Sequence, residues 1–304
     1  MRLPGILAVV FLLSLAACNG PGNQQKQESG KETQAEKPQI KVPEFNPDSA
    51  FHFVKSQTDF GPRVPNTEAH AKCADYLTAK MKTYADTVIV QKGQVRAYNN
   101  DILNIRNIIS VFNPGAQKRI LLGAHWDSRP YADHDPDKSV RWEPIQGAND
   151  ARVLAKNDPG LGIDIIFFDA EDYGPPESDQ SQKTDAWGLG SQYWARNPHK
   201  YGYDAFYGIL LDMVGAENAL FPRERFSTYY APDVVDKVWN IADKIGYGQY
   251  FLDEEGGVIN DDHYYVNEII GIPMINIIHL RPDAKDGPFF KYWHTKEDTI
   301  DKIS

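Results

Sequence analysis

Ile163-Asp164-Ile165-Ile166-Phe167-Phe168-Asp169-Ala170-Glu171-Asp172-Tyr173-Gly174 is the stretch whose reading decides the fold. Five of its first six residues are apolar, with Asp164 the exception. A short continuous run of β-branched and aromatic residues reads as a strand buried on both faces of a sheet, not as an alternating half-exposed one. It then breaks into Asp169, Glu171 and Asp172, three acids within four positions. In an open α/β sheet, ligands sit beyond the carboxyl ends of the strands, so a Glu-Asp pair there is placed to do chemistry. Taken in isolation, the same turn reads first as a solvated acidic loop, and the rest of the chain shifts that reading.

Working outward, other strands end in the same kind of residue. Arg119–Ala124 is apolar and runs into His125-Trp126-Asp127, whose His and Asp, two apart in extended chain, point to the same side. Tyr207–Leu211 ends in Asp212, and Ile272–Ile278 reads as a last strand. Thr87–Gln91 and Ile102–Phe112 read as neighbouring strands before a turn at Asn113-Pro114-Gly115. Between them lie helices. Ser49 is placed to cap one over Phe51, Phe53 and Val54, and Asn66 or Thr67 one that carries Ala74, Leu77 and Met81 at helical spacing. Gly188–Arg196 and Pro232–Ile245 read as two more, the second with Val235, Val238, Trp239 and Ala242 on one face. Strands alternating with helices predict a single three-layer α/β domain: a mixed, mostly parallel twisted sheet flanked by helices, with one site at the strand ends.

Composition bounds the function. With 32 basic against 42 acidic residues, the net charge of −10 argues against a general nucleic-acid binder, which needs a basic surface to displace counterions. Residues 1–18 read as a bacterial lipoprotein signal: Arg2, an apolar run from Ile6 to Leu13 too short to span a bilayer, then Leu15-Ala16-Ala17-Cys18. Cys18 would carry the lipid, anchoring the chain to a membrane in the envelope of a Gram-negative cell and facing the periplasm. Residues 19–44, polar and without aromatics between Gly20 and Lys41, read as a disordered tether, and 45–304 as the catalytic domain. Cys73 alone remains in that domain, so no internal disulfide is available, and its place in a helix reads as core.

A catalytic zinc takes three imidazole or carboxylate ligands from the protein and keeps one position open. Asp150, Asp172 and His294 could supply them from separate loops, leaving Glu171 free to move protons. No compact zinc motif is present, so spacing alone leaves this open. Asp133, His134, Asp135 and Asp137, on a long polar loop, read as solvated; His52 and His199 read as surface residues, and His279 as buried and hydrogen-bonded.

The segments FGPRVP, HWDSR, GAND, FFDAEDYG, LLDMVGA, INDDH and WHT, in this order from Phe45 onward, resemble the bacterial glutaminyl cyclases of the zinc aminopeptidase superfamily, to which the animal-type enzymes also belong. The resemblance implies one zinc held by Asp150, Asp172 and His294, with Glu171 as general base and acid. It implies that Asp212 and Asp261 hydrogen-bond around the catalytic centre and that Trp293 lines the substrate pocket; Trp187, outside the resemblance, reads equally as a wall residue of that pocket or as a core or rim tryptophan. His125 matches a ligand of the second zinc in two-zinc peptidase relatives. The substrates so implied are peptides or proteins with N-terminal glutamine. Like-charge repulsion from Asp212 and Asp261 is expected to raise the pKa of Glu171.

Two other readings stay open. His125, Asp150, Asp172, Asp212 and His294 are also the residue types that hold two zinc ions in an aminopeptidase; Trp293 before His294 and the pair Asp261-Asp262 before His263 resemble cyclases more. The helix after Asp150 is shortened to Ala151–Asn157, about 10 Å long at 1.5 Å per residue, and the chain ends ten residues after His294, where relatives continue into a further helix. Those departures sustain the reading of an inactive homologue.

Overall fold

The computed structural model describes residues 45–148, 160–179, 184–281, 284–285 and 287–304. The signal at 1–18 with Cys18, the tether at 19–44, Asp150 and the shortened helix after it lie outside the described residues.

The eight strands among the described residues are β1 (Thr87–Arg96), β2 (Ile102–Phe112), β3 (Arg119–His125), β4 (Gly162–Phe168), β5 (Tyr207–Asp212), β6 (Phe221–Arg223), β7 (Phe251–Glu255) and β8 (Met274–Ile278). Six form one mixed sheet in the order β1-β2-β4-β3-β5-β8, with β6 and β7 a separate parallel pair. β1 and β2 are antiparallel, as are β2 and β4, whereas β4, β3, β5 and β8 run parallel to one another. The four parallel strands therefore bring their carboxyl ends to one edge, and with them His125, the acidic turn and Asp212.

Side chains alternate across the sheet, and the alternation divides the core in two. Ile165 and Phe167 of β4 face α2 (Glu68–Met81), where they meet Cys73, Ala74 and Leu77. Ile166 and Phe168 face the other way, onto Trp194 and Ala195 of α3 (Leu189–Arg196). On the α2 side, Ile275 and Ile277 of β8 pack against Val234, Val235 and Trp239 of α5 (Pro232–Lys244). The sheet lies between two helical layers, as the sequence predicts, and each fully buried Ile or Phe contributes about 1.5–3 kcal/mol relative to exposure.

Asp164, the polar residue in the β4 run, is buried against Arg119, which donates from Nε at 2.6 Å and Nη2 at 2.7 Å, and against the Tyr203 hydroxyl at 2.8 Å. A buried carboxylate is tolerable only with such partners.

One sequence expectation is corrected in α1 (Pro47–Thr58). Its N-cap is Asn46, which accepts the Ser49 N–H at 2.9 Å, so Ser49 lies inside the first turn instead of capping it. For α2 the cap is Thr67, accepting from His70. β1 runs five residues beyond Gln91, to Arg96, and α4 (Arg225–Tyr230) and α6 (Asp262–Tyr265) appear where the sequence shows no helical periodicity.

Candidate active site

The acidic turn is built by buried hydrogen bonds. Asp169 accepts the N–H groups of Ala170 at 2.8 Å and Arg106 at 2.6 Å, and faces His70 Nε2 at 2.8 Å. Ala170 takes φ 51°, a left-handed conformation that costs a non-glycine residue energy and that this network sustains. Asp127 then accepts the backbone N–H groups of Glu171 at 3.1 Å and Asp172 at 3.2 Å. The Asp of the His-X-Asp pair therefore supports the turn, while His125 lies with Nε2 3.4 Å from Asp212 Oδ1. At the far end, Gly188 and Leu189, at the start of α3, donate to the carbonyls of Glu171 and Ala170.

The turn opens into a cavity of about 230 Å3 whose wall includes Glu171, Asp172, Trp187, Asp212, Trp293 and His294, together with His125 and Asp261. The sequence-predicted site residues that lie among the described ones thus converge on one place. Trp293 stacks on His294 with ring centroids 3.7 Å apart, and Trp187 lies parallel to the same imidazole at 6.5 Å.

Burial raises the pKa of Glu171 well above its usual value, and Asp261 adds the largest like-charge repulsion. Asp212 acts one step away: after burial, its charge is the main cause that pushes Asp261 up to about 6. The expected pairing of Asp212 and Asp261 around Glu171 is thus a relay, with Asp261 held in place by the Asn276 amide at 2.6 Å. Asp262 is also fully buried, and its pKa is raised by burial and then by Asp261.

His294 has the donor environment of a metal ligand. Its Nε2 lies 3.1 Å from Asp172 Oδ1 and its Nδ1 3.4 Å from Asp133 Oδ1. One candidate zinc site is present among the described residues: donor atoms of Asp133, His134 and His294 lie within 4.8 Å of one another. An imidazole flanked by carboxylates suits zinc chemically. His294 itself sits at φ 54°, a second strained position at the site.

The polar loop is a correction to the sequence reading. Asp133 and Asp135 are buried, leaving Asp137 exposed and His134 exposed beside His294. Asp135 accepts the Lys296 N–H at 2.9 Å, and the His134 N–H donates to the His294 carbonyl at 3.1 Å, so the loop braces the segment that carries His294. His199 is half-buried and accepts from Trp194 Nε1 at 3.2 Å. His279 is buried as expected, but its Nδ1 has no hydrogen-bond partner among the described residues; burial and then Arg281 bring its pKa down to about 4.

Sequence reasoning missed Arg63 and Arg129. Both are buried, and Arg63 donates to the carbonyls of Trp126, Gln146 and Gly147 at 2.7–2.8 Å. It thereby ties the backbone leading towards Asp150 to the end of β3. The only signal was an arginine inside each of two quoted motifs, FGPRVP and HWDSR.

Fold and site together define a zinc-exopeptidase-type α/β protein. The chain belongs to peptidase family M28, whose model matches residues 107–304. It is similar to a Zn-dependent exopeptidase from Parabacteroides distasonis, at 49% identity and TM-score 0.83 over 86% of this chain and 94% of that one. It is equally similar to Bacteroides thetaiotaomicron glutaminyl cyclase, at 47% identity and TM-score 0.83 over 86% and 93%. Glutaminyl-peptide cyclotransferase of Bos taurus is 26% identical over 236 residues, 65% of this chain and 60% of that protein. The chain spans about 60% of the length of the first curated relatives it matches.

Proposed function

We propose that this protein cyclises the N-terminal glutamine of peptides to pyroglutamate with release of ammonia. The observation that carries the reading is the buried carboxyl of Glu171, raised in pKa, facing a cavity walled by Trp187, Trp293 and His294. At about 230 Å3 the cavity is smaller than the roughly 300–1,000 Å3 of drug-sized sites, which suits one terminal residue better than an extended peptide.

In the reaction the α-amine forms a bond to the γ-carboxamide carbon, the carbon–nitrogen bond of that amide breaks, and the amine's proton leaves with the nitrogen as ammonia. The attack is intramolecular, so holding a bent conformer between the two tryptophans removes much of the barrier. Glu171 takes the proton from the amine and returns it to the departing nitrogen, a task that favours a pKa near neutrality. The charges of Asp212 on Asp261 and of Asp261 on Glu171 couple these carboxyls, and such groups titrate together. Asp172, His294 and Asp150 would hold one zinc, which would supply a Lewis acid for the amide oxygen. Asp150 enters this set from its place in the GAND motif.

The two-zinc aminopeptidase remains the second reading, favoured by one observation: His125 and Asp212 lie 3.4 Å apart in the same cavity wall. Zinc-loaded protein incubated with a glutaminyl peptide is expected to release ammonia, and Glu171→Gln to lose roughly 10²–10⁴-fold in kcat. Free amino acid released from a leucyl peptide, without cyclisation, would select the aminopeptidase. Zinc binding with neither activity would leave an inactive homologue. We further propose lipidation at Cys18 and the 19–44 tether, which place the domain 45–304 on the periplasmic side of a membrane. An extracytoplasmic bacterial setting is consistent with the relatives.

A further inference from the structure

Arg129 is 1% exposed, and all five of its N–H groups have an acceptor. Nε donates to Asp133 Oδ1 at 2.9 Å and Nη2 to Asp133 Oδ2 at 2.6 Å. Nη1 donates to the carbonyls of Asp172 at 3.1 Å and Gly174 at 3.4 Å, and Nη2 also to Pro175 at 3.0 Å. The guanidinium thus grips the main chain on which the Asp172 carboxylate is mounted. It also lies over the Trp187 ring at 4.8 Å.

Asp133 continues the grip to the other side. Its oxygens accept Arg129 and, at 2.9 Å, the Glu177 N–H, and its Oδ1 faces His294 Nδ1 at 3.4 Å. Burial opposes its ionisation, but the hydrogen bonds and charge of Arg129 outweigh it and lower its pKa. An imidazole that binds metal through one nitrogen needs its other N–H held by an acceptor, which sets the tautomer and the ring plane. Nδ1 of His294 is buried without a hydrogen-bond partner among the described residues, and the acceptor that faces it is Asp133, while Asp172 faces Nε2. Recruiting Asp133 as a metal ligand instead would divide its oxygens between the metal and a buried guanidinium.

We propose that Arg129 and Asp133 are positioning residues that orient the Asp172–His294 pair towards a metal, with Nδ1–H of His294 given to Asp133 and Nε2 left to ligate. The proposal rests on the zinc reading above and assigns Asp133 and His134 places outside the ligand set.

The test uses the full chain, with zinc affinity read by competition against a chelator and the His294 tautomer by ¹⁵N NMR of the zinc-loaded protein. Asp133→Asn and Arg129→Lys are expected to weaken zinc by roughly 10–100-fold at an unchanged stoichiometry of one, as outer hydrogen-bond partners of metal ligands do, and His134→Ala to leave it unchanged. The wild-type spectrum is expected to show Nδ1 protonated and Nε2 ligated; it needs no variant to fold. The reverse tautomer, wild-type zinc affinity in Asp133→Asn, or loss of the zinc in both Asp133→Asn and His134→Ala, as for true ligands, would overturn the proposal. Full zinc affinity in His294→Ala and Asp172→Asn would instead sink the underlying site, a result separable from the others.

Discussion

Oδ1 of Asp127 lies 3.1 Å from the backbone nitrogen of Glu171, and its other oxygen takes the next N–H along, that of Asp172. One carboxylate therefore sets the direction of two adjacent side chains with different tasks. Asn in its place keeps one acceptor and turns an NH2 group against a backbone N–H. Asp127→Asn is expected to cost about 1–3 kcal/mol, the penalty for a buried donor left unmet. At about 2–4 °C per kcal/mol for a domain of this size, the loss is visible in a thermal melt. Ammonia release should fall with it, and an unchanged melt and rate would show that the turn holds itself.

Gly174 offers a test of the pocket wall. A Cβ added there would lie 2.2 Å from the Trp187 ring, far inside contact distance. Gly174→Ala must therefore push Trp187 off its place parallel to His294. Overpacking of this kind costs about 1–3 kcal/mol. Because Trp187 bounds the cavity while Glu171 is untouched, KM for a glutaminyl peptide should rise more than kcat falls. Steady-state kinetics showing the opposite split would place Trp187 outside substrate binding.

These contacts mark where the sequence was legible. The apolar run of β4 and the acids and histidine at the ends of β3, β4 and β5 are strong local signals, because a strand buried on both faces has little room for polar residues. They placed His125, Glu171, Asp172 and Asp212 at one edge. The supports were not legible. Arg63, Arg129 and Glu224 look like surface charges in the sequence, and only tertiary contacts show that each meets several backbone groups in the interior. β1 beyond Gln91 alternates half-buried and exposed residues, so Lys92-Gly93-Gln94 gave no apolar pattern. The 133–135 loop misled for the same reason: acids near a proline read as solvated until Lys296, Arg129 and His294 are brought against them.

Removing the metal should be visible in stability. A ligand that binds the native chain alone stabilises it by about 2.7 kcal/mol at a concentration of 100 Kd. For a domain of this size that corresponds to a Tm about 5–10 °C higher with zinc than after chelation. His294→Ala should abolish the difference. A Tm indifferent to zinc in the wild-type chain would argue against any tight site.

Glu224 controls the far wall and gives a pH signature. Its carboxylate is buried, faces His263 Nε2 at 3.0 Å, and accepts the N–H groups of Phe226, Ser227 and Ile259 at 2.6–3.1 Å. The last of these ties down the loop that carries Ile259 and Asp261 into the cavity. Burial works against the charge, but the hydrogen bond and charge of His263 and these backbone donors bring the pKa from its ordinary 4.5 down to about 2. The native state therefore binds this proton more weakly than the unfolded chain. Its stabilisation is full above about pH 4.5, shrinks as the pH falls, and is lost near pH 2; the total is on the order of 3 kcal/mol. Glu224→Gln should lower stability at neutral pH and flatten the acid limb of a urea-unfolding series between pH 5 and 2. It should also reduce turnover, since the Asp261 loop loses its anchor. An acid limb as steep as that of the parent chain would assign the acid sensitivity to other carboxylates.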